Sequence, residues 1–234
     1  DFHVNRIQFG VNSIRNVSTH GSKLVVAADN RVLIYNNTPA AGTGALVPNA
    51  AVGAAQDDCN EFLLDTPRSA VLTSTGKLIV TDGDHHRVLI WDVPESGEPL
   101  GAARVVLGQQ GKDTCEMNDR NGDRTSDAPN EQTMAAPRSA WSDGFRLVVA
   151  DTLNHRVLIW TTMPSGDAEP ADIVIGQANF EDRFQNRGTT ASATTLFLPY
   201  SVDVSDAGEL AVADHSNNRV LVWRTLPERN GQAA

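Results

Sequence analysis

The sequence has no long apolar run and no excess of positive charge. None of its apolar segments approaches the roughly 18 residues that span a bilayer, so no transmembrane helix is predicted. Its 19 Lys and Arg residues are outnumbered by 29 Asp and Glu residues, which gives a net charge of -10. Because the basic residues also form no stripe that would attract a phosphate backbone, nucleic acid is not an expected partner.

Cysteine is nearly absent, and the chain has only Cys59 and Cys115. Each lies in a long polar connection rather than in an apolar segment. Such positions favour a disulfide, and with it an extracellular or periplasmic location, over two free thiols. No Cys-x-x-Cys or Cys/His spacing indicates a redox motif or a metal site. The first residue is Asp1, so we expect a processed mature form or an excised fragment.

The sequence also lacks the pattern of an amphipathic helix. No window repeats apolar residues at i, i+3, i+4 and i+7, and no P-loop, nucleophile elbow or Ser/His/Asp set is visible. The apolar residues instead fall in short runs rich in Val, Ile and Leu, bounded by Gly, Pro, Asn and Asp. Runs of this kind are typical of β-strands.

One of these runs occurs four times. An Arg-Val-Leu tripeptide begins at Arg31, Arg87, Arg156 and Arg219, with separations of 56, 69 and 63 residues. Each copy follows a run such as FRLVVAD, which itself follows one such as PRSAWS. A further run, such as RVVLGQ or DIVIGQ, comes after a gap. Four short strands in each repeat predict an all-β fold, a β-propeller of antiparallel four-stranded blades.

The repeats resemble those of the NHL family through the signature Ala-Asp-x-x-Asn-(His/Asn)-Arg-Val, which appears here as ADTLNHRV and ADHSNNRV. The Val-Leu-Gly-Gln endings and the long polar connections resemble those of bacterial exported members. The resemblance covers nearly the whole chain. It implies one propeller domain, 1–234, with blades over about residues 11–55, 66–109, 136–177 and 198–226.

We expect four blades in a closed ring. The segment NRIQFG, residues 5–10, resembles a fourth strand without a repeat of its own, whereas the last repeat has no fourth strand. This N-terminal segment is therefore expected to complete and close the last blade. The alternative is four blades of a six-bladed propeller, since six is the commoner number in the family.

The turn between the second and third strands of each blade is expected on the face that carries the connections between blades, here called the loop-rich face. The aspartate that precedes each turn can pair with the arginine five residues later, so three aspartates are interpreted as structural: Asp82, Asp151 and Asp214. Histidines in these turns raise a zinc hypothesis: His85, His86, His155 and His215. Because Asn218 replaces histidine in the last repeat, we interpret them as turn residues instead.

Four residues at the starts of the innermost strands are expected nearest the central axis: Arg15, Arg68, Arg138 and Tyr200. Three guanidinium groups beside a phenol predict a central pocket for a carboxylate or another small anion. In the alternative interpretation, each arginine is neutralised by an aspartate of its own or a neighbouring turn.

One connection contains a calcium-loop pattern, with oxygen ligands at positions 1, 3, 5 and 9: Asp119, Asn121, Asp123 and Asp127. Arg124 stands where such a loop has its turn glycine, and Asn130 stands where it has its bidentate glutamate. Both departures weaken the match. Calcium is the one candidate cofactor, and the alternative is a solvated acidic loop without metal.

These features favour a non-catalytic binding or assembly module over an enzyme. The long connections, together with Trp141, are expected to present one face to a protein or glycan partner, or to a larger exported assembly. The alternative function is a lyase-like or lactonase-like enzyme that works at the central pore. Such an enzyme needs a metal or a general base at the axis, where this sequence has arginines.

Overall fold

The computed structural model describes residues 11–37, 47–53, 59–94 and 100–234. Their apolar runs, rich in β-branched residues, form short antiparallel strands of three to seven residues. The strands build four sheets arranged in a ring, so the fold is the predicted four-bladed β-propeller. None of the helices in these ranges is long and apolar enough to cross a bilayer.

Within each blade the strands follow sequence order from the innermost outward. Blade 1 contains β1 (Ile14–His20), β2 (Lys23–Ala28), β3 (Arg31–Tyr35) and β4 (Ala50–Val52). Blade 2 contains β5 (Pro67–Leu72), β6 (Lys77–Asp82), β7 (Arg87–Asp92) and β8 (Val105–Leu107). Blade 3 contains β9 (Pro137–Ser142), β10 (Leu147–Asp151), β11 (Arg156–Trp160) and β12 (Ile173–Ile175). In blade 4 the described strands are β13 (Pro199–Val204), β14 (Leu210–Asp214) and β15 (Arg219–Trp223).

The hydrophobic core lies between the blades. Apolar side chains of one sheet pack against the facing side of the next sheet, and this produces three clusters, one at each of the first three junctions. A fourth cluster of the described residues lies within blade 1. Tryptophan is the fifth residue of the third strand in blades 2, 3 and 4, where it is buried while its indole N–H donates to a backbone carbonyl oxygen: Trp91 to Gly101, Trp160 to Glu169 and Trp223 to Gln232. The tryptophan that these three repeats share is thus part of the hydrophobic core.

The glycine after each outer strand is required by a close approach of backbones. Gly108 and Gly176 have φ values of 90° and 89°. A Cβ atom at either position would lie 2.9 Å from a carbonyl oxygen, that of His86 or of His155. The repeated Gly-Gln dipeptide therefore marks the point where the chain leaves the blade next to the turn of the preceding hairpin.

A repeated hydrogen bond joins the innermost strands. In blades 1, 2 and 3 the side chain of the third residue of the innermost strand accepts a backbone N–H of the next blade, and the donors are Ala70, Ala140 and Val202. The accepting side chains and the N···O distances are Asn16 at 3.2 Å, Ser69 at 3.5 Å and Ser139 at 3.3 Å. Each blade is thereby fixed in height relative to the one before it.

The junction between blades 4 and 1 differs from the other three. Among the described residues Ser201, which corresponds to Ser139, accepts no such bond from blade 1. Val220 and Val222 are 62% and 48% exposed, whereas the corresponding Val157 and Ile159 are fully buried. The strand predicted over residues 5–10 lies outside the described residues, so its pairing with blade 4 stays a prediction.

Candidate functional site

The turns on the loop-rich face are built on buried ion pairs. The arginine that opens each third strand donates its Nε–H to the aspartate that ends the second strand, and the pairs are Arg87–Asp82 at 2.9 Å, Arg156–Asp151 at 2.7 Å and Arg219–Asp214 at 2.8 Å. All three aspartates are fully buried. The structural interpretation of these carboxylates is confirmed, because they are engaged with the turn and do not face the central channel.

The same arginines hold the connections between blades. Their remaining N–H groups donate to carbonyl oxygens of the segment that leads into their own blade. Arg87 reaches Asn60 and Leu63, Arg156 reaches Asn130 and Thr133, and Arg219 reaches Ser192 and Thr195. One side chain thus links the turn, the third strand and the incoming connection, as planar guanidinium groups with several donors can do.

Two turn histidines join one blade to the next. The Nδ1 atom of His86 accepts the N–H of Ala136 at 3.1 Å, and that of His155 accepts the N–H of Leu198 at 3.2 Å. In blade 1 the side chain of Asn30 accepts a weaker, 3.4 Å bond from the next blade. Burial lowers the pKa of both imidazoles below the usual value, although neighbouring carboxylates act in the opposite direction.

These histidines predict a loss of stability in mild acid. Protonation removes the Nδ1 acceptor, and the pKa in the folded chain lies below the unfolded value of about 6.5. The unfolded chain therefore binds protons first, so the free energy of unfolding should fall as the pH drops through 6.5 towards the folded pKa. Urea denaturation at pH 7.5 and 5.5 measures this fall.

The control replaces both histidines with the residue that the last repeat uses. The variant His86→Asn/His155→Asn keeps an oxygen acceptor that does not titrate, and Asn tolerates the positive φ of 55° and 54° found at these positions. Its free energy of unfolding should change less between the two pH values. An equal fall in variant and wild type would assign the pH dependence to other groups.

The remaining turn histidines have local partners. His85 lies 3.0 Å from Asp82 and is buried with it, and the ring of His215 stacks on Tyr200 at a centroid distance of 3.8 Å. Within the described ranges no group of three or more His, Cys, Asp or Glu side chains is arranged to hold a metal ion. The interpretation of these residues as turn components agrees with their contacts.

The sequence interpretation missed a repeated amide network in the two longest connections. Asn118 and Asn154 exchange side-chain hydrogen bonds of 3.0 and 2.8 Å, and Asn186 and Asn217 exchange bonds of 3.0 and 2.8 Å. The sequence does contain a pattern that indicates this network, because Asn118 and Asn186 each follow the glutamine of a Gly-Gln dipeptide at the same spacing. These amides fix each connection to the turn of the blade that it enters.

The predicted disulfide between Cys59 and Cys115 is present. It joins the connection that enters blade 2 to the one that enters blade 3, with the Cα atoms 6.1 Å apart and a sequence separation of 56 residues. Arg87 lies beside the bridge and also donates to the carbonyl oxygen of Lys112 at 3.1 Å. The disulfide thus links the two connections beside Arg87, at the loop-rich end of blade 2.

The four predicted calcium ligands of the connection into blade 3 do not converge on one point. Asp119 accepts the N–H groups of Gly122 and Arg124, Asp127 accepts that of Arg120, and Asp123 binds Thr125. Hydrogen bonds from Thr125, and then from Asn121, lower the pKa of Asp123. The carboxylates serve turns of their own loop in this structure, and calcium binding by the loop stays a prediction.

The central channel opens on the loop-rich face in a cavity of about 350 Å³, lined by Ser13, Ile14 and the four predicted residues Arg15, Arg68, Arg138 and Tyr200. Each of these four is skipped in the pairing of its innermost strand with the second strand, so it occupies a β-bulge. Bulges redirect side chains at the ends of strands, and here they aim all four at one mouth. We call this site the channel mouth.

The alternative interpretation, in which an aspartate neutralises each arginine of the channel mouth, holds for one of the three arginines. Arg68 pairs with Asp84 of its own turn at 3.2 Å. Arg138 instead lies over the ring of Tyr200, with 4.0 Å between the guanidinium carbon and the ring centroid. In the described part of the chain Arg15 and Arg138 have no carboxylate partner.

Trp141 lies at the opposite end of the channel, which corrects its expected place on the loop-rich face. It lines a cavity of about 440 Å³ together with His20, Arg146 and other residues near the far ends of the innermost strands. The reason is its position in the strand. Pro137 begins β9 at the loop-rich face, so the fifth residue of the strand is close to the other side of the ring.

The loop-rich face also carries exposed apolar side chains. Phe62 and Phe184 belong to the connections into blades 2 and 4, and Leu153 lies in the turn of blade 3. Their exposed fractions are 54%, 66% and 45% respectively. On the opposite side, Phe145 in the β9–β10 turn is 68% exposed. The connections thus place two phenylalanine rings in solvent despite their extensive internal bonding.

No protein-family model matches the chain, and no curated protein sequence matches it. Among solved structures it is similar to the β-propeller domain of Cps50 (Swd1) from Myceliophteria thermophila, with 11% identity over 91% of this chain and 51% of that one and a TM-score of 0.50. It is also similar to an auxiliary nutrient binding protein from Bacteroides thetaiotaomicron, with 13% identity, coverage of 85% and 44%, and a TM-score of 0.53. The chain spans about half the length of these structures, and at such identities the likeness shows the propeller fold alone.

Proposed function

We propose that the protein is an exported, NHL-type binding module that docks a protein partner on its loop-rich face. The observation that carries this proposal is the extensive internal bonding of the described parts of the long connections on that face. Buried arginines, reciprocal asparagine pairs and a disulfide hold them to the blades. A loop that is already ordered loses little conformational entropy on binding, so a rigid loop surface supports specific recognition.

Exposed rings on this stiff surface support a protein as the partner. Phe62 and Phe184 are more than half exposed although they extend from well-bonded segments. Aromatic side chains are enriched in protein interfaces, where they supply contact area at a small entropic cost. A glycan that stacks on the same rings is the competing partner, and the experiment below separates the two.

The disulfide and the turn signature support the family and the location. A cross-link between two loops persists in an oxidising compartment, which favours an extracellular or periplasmic protein. The Asp-x-x-Asn-(His/Asn)-Arg signature of blades 3 and 4 supports membership of the NHL type.

An enzyme that acts at the central pore is the second candidate, supported by the cavity at the channel mouth. Its side chains favour it less than the binding module. Guanidinium groups are neither metal ligands nor general bases at neutral pH, and a phenol is a weak base there. We therefore place recognition ahead of catalysis.

Removal of the two exposed rings should weaken the partner interaction. The variant Phe62→Ser/Phe184→Ser should reduce capture of the cognate protein from the exported fraction of the source cells by at least about 30-fold in affinity, as expected for hot-spot side chains. Quantitative mass spectrometry of material bound to immobilised wild type and variant identifies the proteins whose recovery falls. Titration of each identified protein against both chains then gives the affinities.

The matched control is Phe145→Ser, because this ring is equally exposed but lies on the opposite face. It should leave capture unchanged. The proposal is contradicted if all proteins are recovered equally by the three chains, or if Phe145→Ser abolishes the same interaction. Glycan-array binding that depends on Phe62 and Phe184, without any dependent protein, would replace the protein partner with a glycan.

A further inference from the structure

The channel mouth combines a fixed geometry with unbalanced charge. Its four bulge residues come from four different blades, and the order of blade packing places the blade of Arg68 between the blades of Arg15 and Arg138. Among the described residues, Arg68 is the one arginine of the mouth that pairs with a carboxylate, that of Asp84. Two guanidinium groups therefore face the cavity without a counter-charge from the described chain.

The aspartates that could have neutralised them are already engaged. Asp82, Asp151 and Asp214 are buried and bind the arginines of the third strands. The net charge of the whole chain is -10, so the positive mouth is a local reversal of sign. A channel with low-dielectric walls concentrates such a field and attracts anions to its opening.

Arg138 is held in an orientation that leaves its donors available. Its guanidinium carbon lies 4.0 Å from the centroid of Tyr200, and that ring stacks on His215 with an interplanar angle of 8°. Stacking occupies the flat face of a guanidinium group, whereas its N–H donors lie in the plane and point past the edge of the ring. The stack thus orders Arg138 without using its hydrogen-bonding capacity.

We propose that the channel mouth binds a small dicarboxylate. One carboxylate accepts forked hydrogen bonds from Arg15, and the other accepts them from Arg138, which lies two blades further along the chain. Arg68 and the hydroxyl of Tyr200 flank the ligand as further donors. The cavity of about 350 Å³ accommodates a molecule of this size, and a dianion matches the two unpaired cations better than a monoanion does.

The test is isothermal titration calorimetry with succinate at low ionic strength, where screening of the exposed part of the site is weak. Succinate should bind wild type at one site, and succinamide, its neutral analogue, should not bind. Arg15→Gln and Arg138→Gln should each weaken succinate about ten- to hundredfold, the range that charge-assisted hydrogen bonds provide. Arg224→Gln, at an exposed position after β15, is the control and should bind as wild type does.

Three results would overturn the proposal. They are the absence of succinate binding to wild type, binding that Arg138→Gln leaves unchanged, and inorganic phosphate binding as tightly as succinate. The comparison of succinate with succinamide uses wild type alone, so it remains decisive if a variant folds poorly. This inference does not rest on the partner proposed above, whose test changes phenylalanines that do not line the cavity.

Discussion

Asp151→Asn is expected to lower the free energy of unfolding by about 3–5 kcal/mol, which is the usual cost of breaking a fully buried ion pair. Asp151 and Arg156 are both completely buried, and their atoms are 2.7 Å apart. Asparagine retains an oxygen that can accept the N–H of Ala135, bound to Asp151 at 2.7 Å in the wild type. The loss therefore comes mainly from the uncompensated charge of Arg156.

The chain supplies its own control for this prediction in blade 4. Asp214 makes the same contact with Arg219 at 2.8 Å, but the Arg219 side chain is 26% exposed. Water can solvate that guanidinium group after Asp214→Asn, so the loss there should be less than half of the loss at Asp151. Guanidinium chloride denaturation of both variants, followed by tryptophan fluorescence, measures the difference. Equal losses would show that burial of the arginine does not set the cost.

Removal of the disulfide is expected to lower the free energy of unfolding by about 2–4 kcal/mol. Cys59 and Cys115 are 56 residues apart, so the bridge restricts a long segment of the unfolded chain. Cys59→Ala/Cys115→Ala removes that restriction and also frees two connections whose described residues have little regular secondary structure. The size of the effect follows from the length of the closed loop.

A reductant distinguishes the cross-link from side-chain packing at the same place. Dithiothreitol should destabilise the wild type to about the level of the double variant, and it should leave the double variant unchanged. Denaturation curves for both chains with and without reductant provide the comparison. If the reduced wild type keeps its full stability, the disulfide contributes nothing to the fold and the prediction is wrong.

The repeated segments allowed the fold to be predicted because each one carries its own structural reason. The Asp-to-Arg spacing of five residues encodes a tight turn with an ion pair, and Asp151 and Arg156 occupy directly opposed positions of β10 and β11. The third-strand pattern RVLIW places alternate side chains on the two faces of a buried sheet. Four copies of such a unit determine a propeller before any long-range contact is known.

The side-chain contacts at the channel mouth could not be predicted from the sequence in the same way. The sequence placed Arg15, Arg68 and Arg138 near the axis, but the pairing of each depends on the spatial position of another blade or turn. Tyr200 takes the position that arginine has in the other three repeats, and only the structure brings its ring beneath Arg138. Position along a strand can be inferred from a repeat, whereas the choice among nearby partners depends on geometry across blades.

The side-chain hydrogen bonds between the innermost strands all run in the same direction around the propeller. Asn16, Ser69 and Ser139 each accept the backbone of the blade that comes later in the chain, and His86 and His155 do the same at the turns. The chain emerges N-terminus first, so each of these five acceptors exists before its donor. Each new innermost strand can therefore dock on the strand before it, so these bonds can form in chain order.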